Sequence, residues 1–282
     1  MKEMFTMWRH TNMVVLVALS AAIYAALLIP FQSIPIIPGH ASLRVADIVP
    51  MALALLFGPA GAWGSAIGNL IGDFFGTLSP GAIGGFVSQL FAGLITYKLW
   101  GAFGERHKDF EINVNSGRRF TRFISIAVVK SLWQPLILTF WVALLLQLAP
   151  AQPYSVAVIL SGLVMSIIGG PIILRILAPR IKKWGLLWTD IMEPEEVSKG
   201  FHPKVGIALV VGGSILGAAS LYFMLFVSGL AVTDPIVRFS PIIFIVTVIV
   251  GVCMLGGRNQ VEAARRADLE QEQSLMPPTA SV

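Results

Sequence analysis

Four ionisable side chains stand inside or at the edge of long apolar runs: Arg44, Asp47, Asp73 and Lys130. Such a group is costly at membrane depth and normally faces a cavity or a partner. Arg44 and Asp47 are three residues apart and can share a helical face. That spacing fits an interfacial ion pair and a substrate site equally. Asn69 and Asp73 stand at i, i+4, and Asp73 has no cation near it in sequence; the pair can bind a ligand, cap a helix end or bond to a neighbouring helix. Lys130 is followed by Trp133, Gln134 and Trp141, and it can either snorkel to headgroups or serve a site. Amide and guanidinium groups give directional hydrogen bonds, and indole planes hold flat heterocycles. Nothing in this set pairs a nucleophile with a base. There is no His-Glu-x-x-His, no Walker loop and no Gly-x-Ser-x-Gly. His10, His40, His107 and His202 are scattered. Neither an enzyme nor a metal or cofactor site is expected. The one cysteine, Cys253, excludes a disulfide framework and reads as a small buried apolar residue.

The elements that must carry these residues follow from composition. The 282 residues are 56% hydrophobic and only 12% charged, about half the charge of a soluble domain. This excludes a disordered chain and an ordinary soluble enzyme and indicates an all-α, multi-pass membrane protein in the lipid bilayer. A spanning helix takes about 20 apolar residues. Breakers at Pro30, Gly58-Pro59, Ser79-Pro80-Gly81 and Ala149–Pro153 divide the runs into eight spans, roughly 11–30, 45–57, 59–77, 82–101, 123–149, 154–178, 205–228 and 239–256. Residues 45–77 are long for one helix and short for two. The positive-inside rule decides for a hairpin. With eight spans, all of the 20 lysines and arginines except Arg44, Lys130 and Arg238 fall on one side. That side is cytoplasmic and holds both termini. The net charge of +5 is then a topology signal, and no nucleic-acid partner is expected.

Two spans carry ladders of small residues that let another backbone come close. The first has Ala18, Ala22 and Ala26, with Ala21 and Ala25 alongside; the third has Gly61, Gly64, Gly68 and Gly72. Either ladder can pack internally, and the alanines are broad enough to serve a partner as well. Between the first two spans, Ile34–Arg44 is stiffened by Pro35 and Pro38 and bends at Gly39. It is too apolar for a solvated loop. It reads as a lid folded over a cavity, with His40, Ser42 and Arg44 pointing inward.

The stretch Ser33–Gly101, with Ser-Ile-Pro-Ile-Ile-Pro-Gly-His-Ala-Ser-Leu-Arg-Val-Ala-Asp-Ile-Val-Pro, Leu-Phe-Gly-Pro-Ala-Gly-Ala and Gly-Asn-Leu-Ile-Gly-Asp, resembles the substrate-binding S components of energy-coupling factor (ECF) transporters, nearest to the vitamin and queuosine-precursor uptake group. The alanines at 18, 22 and 26 resemble the face with which the family's first helix docks on its coupling subunit. The resemblance implies a six-helix S-component-like bundle that binds a small organic nutrient from outside. A transmembrane coupling subunit and two ATPase subunits would supply the energy in a bacterial or archaeal cell membrane. It further implies a lid at 33–44, a substrate site drawn from His40, Arg44, Asn69, Asp73, Lys130, Trp133, Gln134 and Trp141, and partner docking through Ala18, Ala22 and Ala26.

The chain departs from that family in carrying a C-terminal two-helix hairpin. The expected organisation is a binding domain at 1–183, a cytoplasmic linker at 184–204, the additional hairpin at 205–256 and a charged cytoplasmic tail at 257–282. Two other functions compete: a stand-alone ion-coupled secondary transporter, with Asp73 and Lys130 as a proton relay, and a membrane scaffold or assembly protein.

Overall fold

A computed structural model describes residues 1–31, 35–37, 41–42, 44–76, 78–107 and 109–275. A short helix α1 (Glu3–Thr6) and a 3-10 turn at Met7–Arg9 lead into α2 (Thr11–Phe31). The antiparallel pair β1 (Pro35–Ile37) and β2 (Ala41–Ser42) follows. A 3-10 turn at Val45–Ile48 then enters α3 (Pro50–Phe57), α4 (Pro59–Gly76) and α5 (Gly81–His107). Helix α6 (Gly117–Leu138) widens into a π-helix over Thr139–Leu145, and α7 runs over Ala151–Lys183. The short α8 (Trp188–Ile191) precedes a hairpin of α9 (Pro203–Phe226) and α11 (Pro241–Met254), joined through α10 (Pro235–Phe239). A final helix, α12, covers Arg258–Leu275.

Among the described residues, six stretches are long and apolar enough to cross a membrane: Thr11–Phe31, Gly81–Glu105, Gly117–Leu145, Ala151–Ile191, Pro203–Phe226 and Pro235–Ala267. They correspond to the first, fourth, fifth, sixth, seventh and eighth expected spans. The second expected span is shorter than a crossing, since Val45–Phe57 combines a 3-10 turn with a short helix. The third, α4, has 18 residues and buries Ser65, Asn69 and Asp73. Residues 45–76 nevertheless form a hairpin. Gly58 takes a positive φ of 53°, which glycine adopts without a Cβ penalty, and Pro59 starts the next helix with a preset φ. The reversal brings Gly61 so near the Leu53 carbonyl that a Cβ there would overlap it.

The glycine ladder packs inward. A Cβ at Gly64 would lie 2.3 Å from Ser20 Cβ, one at Gly68 2.6 Å from the Ala21 carbonyl oxygen, and one at Gly72 2.3 Å from Leu28. Helices α2 and α4 are therefore in backbone-to-backbone contact, and Ala21 and Ala25 are buried in the seam. Ala18, Ala22 and Ala26 occupy the opposite stripe of α2 and are exposed. One helix thus carries two small-residue faces, only one of them covered.

The C-terminal hairpin packs on α5 and α6. Gly217 sits against Leu136, the Tyr222 hydroxyl donates to the Ser155 carbonyl at 2.9 Å, and Arg238 Nη2 donates to the Leu145 carbonyl at 2.9 Å. Cys253 is exposed on the surface of α11, which corrects the expectation of burial. Helix α11 is apolar all round, so a cysteine on its outer face needs no protein contact.

At the end of the bundle that carries most of the basic residues, the terminal segments are tied together. Glu3 and Lys98 are both fully buried and pair at 2.9 Å. Glu3 also accepts from the Tyr97 hydroxyl, the Ser198 backbone amide and the terminal ammonium of Met1. Lys98 in turn donates to the Leu255 carbonyl at 2.8 Å, which satisfies the open C-terminus of α11. Burial would raise the Glu3 carboxyl, but Lys98 and the N-terminal ammonium outweigh it and hold it at about 2. The His10 ring meets Glu196 at 2.7 Å, and Arg258 bonds Glu262.

Candidate functional site

The Val45–Ile48 turn and five helices, α2, α4, α5, α6 and α7, each contribute polar side chains to the interior. Asn69 is fully buried on α4 because Gly85 of α5 faces it: a Cβ at Gly85 would lie 2.6 Å from Asn69 Nδ2. Asn69 Nδ2 donates to Asp73 Oδ2 at 2.8 Å, one turn on, as the i, i+4 spacing predicts. Its carbonyl oxygen accepts from Arg44 Nη1 at 3.2 Å and from the Tyr24 hydroxyl at 3.4 Å. Gln89 on α5 extends the chain, donating to the Tyr24 oxygen at 2.9 Å and to Asp47 Oδ1 at 3.0 Å. The backbone amide of Arg44 donates to Ser161 Oγ on α7.

Arg44 and Asp47 do not pair with each other. The guanidinium turns to Asn69, and the carboxylate, 2% exposed, turns to Gln89. The Val45–Ile48 stretch is a 3-10 turn, so the α-helical face assumed for the pair does not form. Tyr24, Asp73, Tyr154 and Asp47 all lie within electrostatic reach of the Arg44 guanidinium.

Lys130 is fully buried and donates to Ser166 Oγ on α7 at 2.9 Å. It does not reach the headgroups, because its stem is enclosed between α6 and α7 rather than lying on a lipid face. Gln134, one turn on, lies against Gly162 of α7, and neither its Oε1 nor the buried hydroxyl of Ser131 has a hydrogen-bond partner among the described residues. Trp133 points the other way. Its indole donates to the Ser88 carbonyl at 3.1 Å and packs on Phe91 with ring centroids 5.7 Å apart. Trp141, in the π-helical segment, donates to the Pro80 carbonyl and covers Gly84, next to the glycine that faces Asn69.

Arg44, Asn69 and Asp73 therefore come together in one network, with Trp141 at its border. Lys130 and Gln134 line the α6–α7 side, and Trp133 is a packing residue between α5 and α6. His40 lies outside the described residues. Sequence reading missed Tyr24, Gln89 and Ser161 as members and did not carry Asp47 into the site. Tyr24 and Gln89 lie in charge-free runs beside other polar residues, Ser20 and Ser88, and only the packing of α2 against α4 and of α4 against α5 brings them to the network.

Arg44, Asp47, Asp73 and Lys130 balance in formal charge, and the buried atoms without a partner among the described residues include Gln89 Oε1, Gln134 Oε1 and the Ser131 hydroxyl. Among the described residues no group of three or more His, Cys, Asp or Glu is arranged to hold a metal ion.

A protein-family model described as QueT transporter matches residues 14–179, from the start of α2 to the end of α7. No curated protein and no solved structure matches the chain. The matched stretch contains every residue of the network and stops short of the C-terminal hairpin. With more than half of its length in that match, the chain belongs to the QueT transporter family, an S-component family for queuosine-precursor uptake.

Proposed function

We propose that this chain is the substrate-binding subunit of an ECF-type importer, which captures a queuosine precursor from outside and releases it inside with energy from partner ATPases. The observation that carries this reading is the Arg44–Asn69–Asp73 and Tyr24–Gln89–Asp47 network, buried except at the half-buried Arg44. It fills the middle of a six-helix unit with directional hydrogen-bonding groups and offers no catalytic pair. Lys130, Gln134 and Trp141 complete the set of binding side chains, and the expected lid, 33–44, lies partly outside the described residues.

The partners are a transmembrane coupling subunit and two ATPase subunits. Ala18, Ala22 and Ala26 form the docking stripe. Their exposure supports this assignment, and the extra hairpin packs on α5 and α6, leaving the stripe open. Residues 1–183 form the binding domain, 184–204 the linker, 205–256 a brace and 257–282 the tail. Both termini are cytoplasmic, in accord with the basic residues gathered at one end of the bundle.

Reconstitution tests the reading. Liposomes holding this chain with a coupling subunit and two ATPases are expected to accumulate queuosine precursor only when ATP is supplied. Accumulation by this chain alone under an ion gradient would contradict it and favour a secondary transporter.

A further inference from the structure

Helix α7 has 33 residues, a rise of about 50 Å against a hydrocarbon core of about 30 Å. Its last turns therefore stand outside the core. On its outer side Leu160, Val164, Ile168, Ile172 and Ile176 recur every four residues, and all are exposed. That stripe rises about 24 Å, more than the depth of one leaflet, about 15 Å. It ends in cations. Arg175 stands beside Ile172 and Ile176, Arg180 follows Ile176 by four residues, and Lys183 follows Arg180 by three; all three are exposed. Trp184, the C-cap residue, is exposed with them, and an indole favours the headgroup level.

These cations lack the partners that others at the same end of the bundle have. Lys98 pairs with Glu3, and Arg119 pairs with Asp109 and Glu111. The glutamates of the segment that follows α7 turn elsewhere, Glu193 to Arg265, Glu195 to Arg258 and Glu196 to His10. Among the described residues no acidic side chain lies within 4.0 Å of Arg175, Arg180 or Lys183.

We propose that this end of α7 binds one anionic phospholipid. Arg180 and Lys183 hold the phosphate, Arg175 reaches it from the edge of the core, and the acyl chains lie along the stripe from Leu160 to Ile176. The occupant is a lipid because the cations crown an apolar stripe, which a soluble acidic partner would leave uncovered. The lipid fastens the outer side of the helix whose buried side carries Ser161 and Ser166. This site is independent of which solute the interior network takes.

Native mass spectrometry of the full chain, released from micelles that contain phosphatidylglycerol and phosphatidylcholine in equal amounts, tests the assignment. Wild type is expected to retain one phosphatidylglycerol in preference to phosphatidylcholine. Each cation near the surface contributes about 5-fold to such attraction, so Arg180→Gln with Lys183→Gln should weaken phosphatidylglycerol retention about 25-fold. Retention of phosphatidylcholine should not change. The control pair Arg118→Gln with Lys199→Gln removes the same charge from exposed positions and should retain phosphatidylglycerol as wild type does. Equal retention of the two lipids by wild type, or an equal loss in both pairs of substitutions, would overturn the assignment. Displacement of the lipid by inorganic phosphate at constant ionic strength would also overturn it, because an ion without acyl chains gains nothing from the stripe.

Discussion

The guanidinium of Arg44 donates to the side-chain carbonyl of Asn69 across 3.2 Å, joining the entry to the Val45–Ile48 turn to the middle of α4. The same Asn69 oxygen accepts from Tyr24 on α2, and its amide grips Asp73. One uncharged side chain therefore fixes the positions of three ionisable or polar neighbours. Replacing it by Leu, of similar volume, leaves the half-buried Arg44 and the buried Asp73 with fewer partners. Asn69→Leu is expected to weaken precursor binding at least about 10-fold and to lower stability by about 1–3 kcal/mol, read by titration and by thermal unfolding in detergent.

The α2–α4 seam is set by the absence of side chains. A Cβ at Gly64 would lie 2.3 Å from Ser20 Cβ, so Gly64→Val must push the helices apart. The expected cost is about 1–3 kcal/mol, seen as a lower melting temperature. Gly212, which has open space at the same test position, serves as the control, and Gly212→Ala should leave the melting temperature nearly unchanged.

The exposed stripe of α2 gives the opposite pattern. Ala22→Leu adds bulk at an exposed position of α2, so folding and precursor binding should stay at wild-type values. Uptake driven by ATP in the reconstituted complex should fall several-fold or more. Equal uptake by Ala22→Leu and wild type would remove the stripe from the docking surface.

The Glu3 carboxyl is held at about 2 against an ordinary value of 4.5, since Lys98 and the terminal ammonium outweigh its burial. A carboxyl lowered on folding stabilises the protein fully above the unfolded value and loses that contribution as pH falls through the folded one. The clasp should therefore weaken between about pH 4.5 and 2. Melting temperatures measured across that window should fall for wild type. Glu3→Gln should start lower at neutral pH, with Lys98 buried against a neutral group, and should show a shallower slope.

Much of this architecture is legible in the residues, and the exceptions have physical causes. The Gly58-Pro59 reversal follows from a glycine that tolerates positive φ and a proline that starts a helix, and the positive-inside count points the same way. Asn69 and Asp73 stand out because polar side chains one turn apart in an apolar run have few other partners. Arg44 is also visible, as the one cation of the apolar stretch 32–48. Its partner is not, because helical spacing points to Asp47 and the local turn is 3-10. Gln89 and Tyr24 escape notice because their role depends on which faces of α2 and α5 meet, a tertiary relation that periodicity does not encode. The two faces of α2 are also indistinguishable in sequence. Only the glycines of α4 decide which alanines are covered.

Titration of a queuosine precursor into the purified chain, without nucleotide or partner proteins, tests the central claim most directly. The account predicts saturable binding of one molecule per chain, with affinity reduced at least about 10-fold in Arg44→Gln through loss of a charged hydrogen bond. Undetectable binding by a folded, monodisperse wild-type protein, or equal affinity in the Arg44→Gln variant, would contradict it.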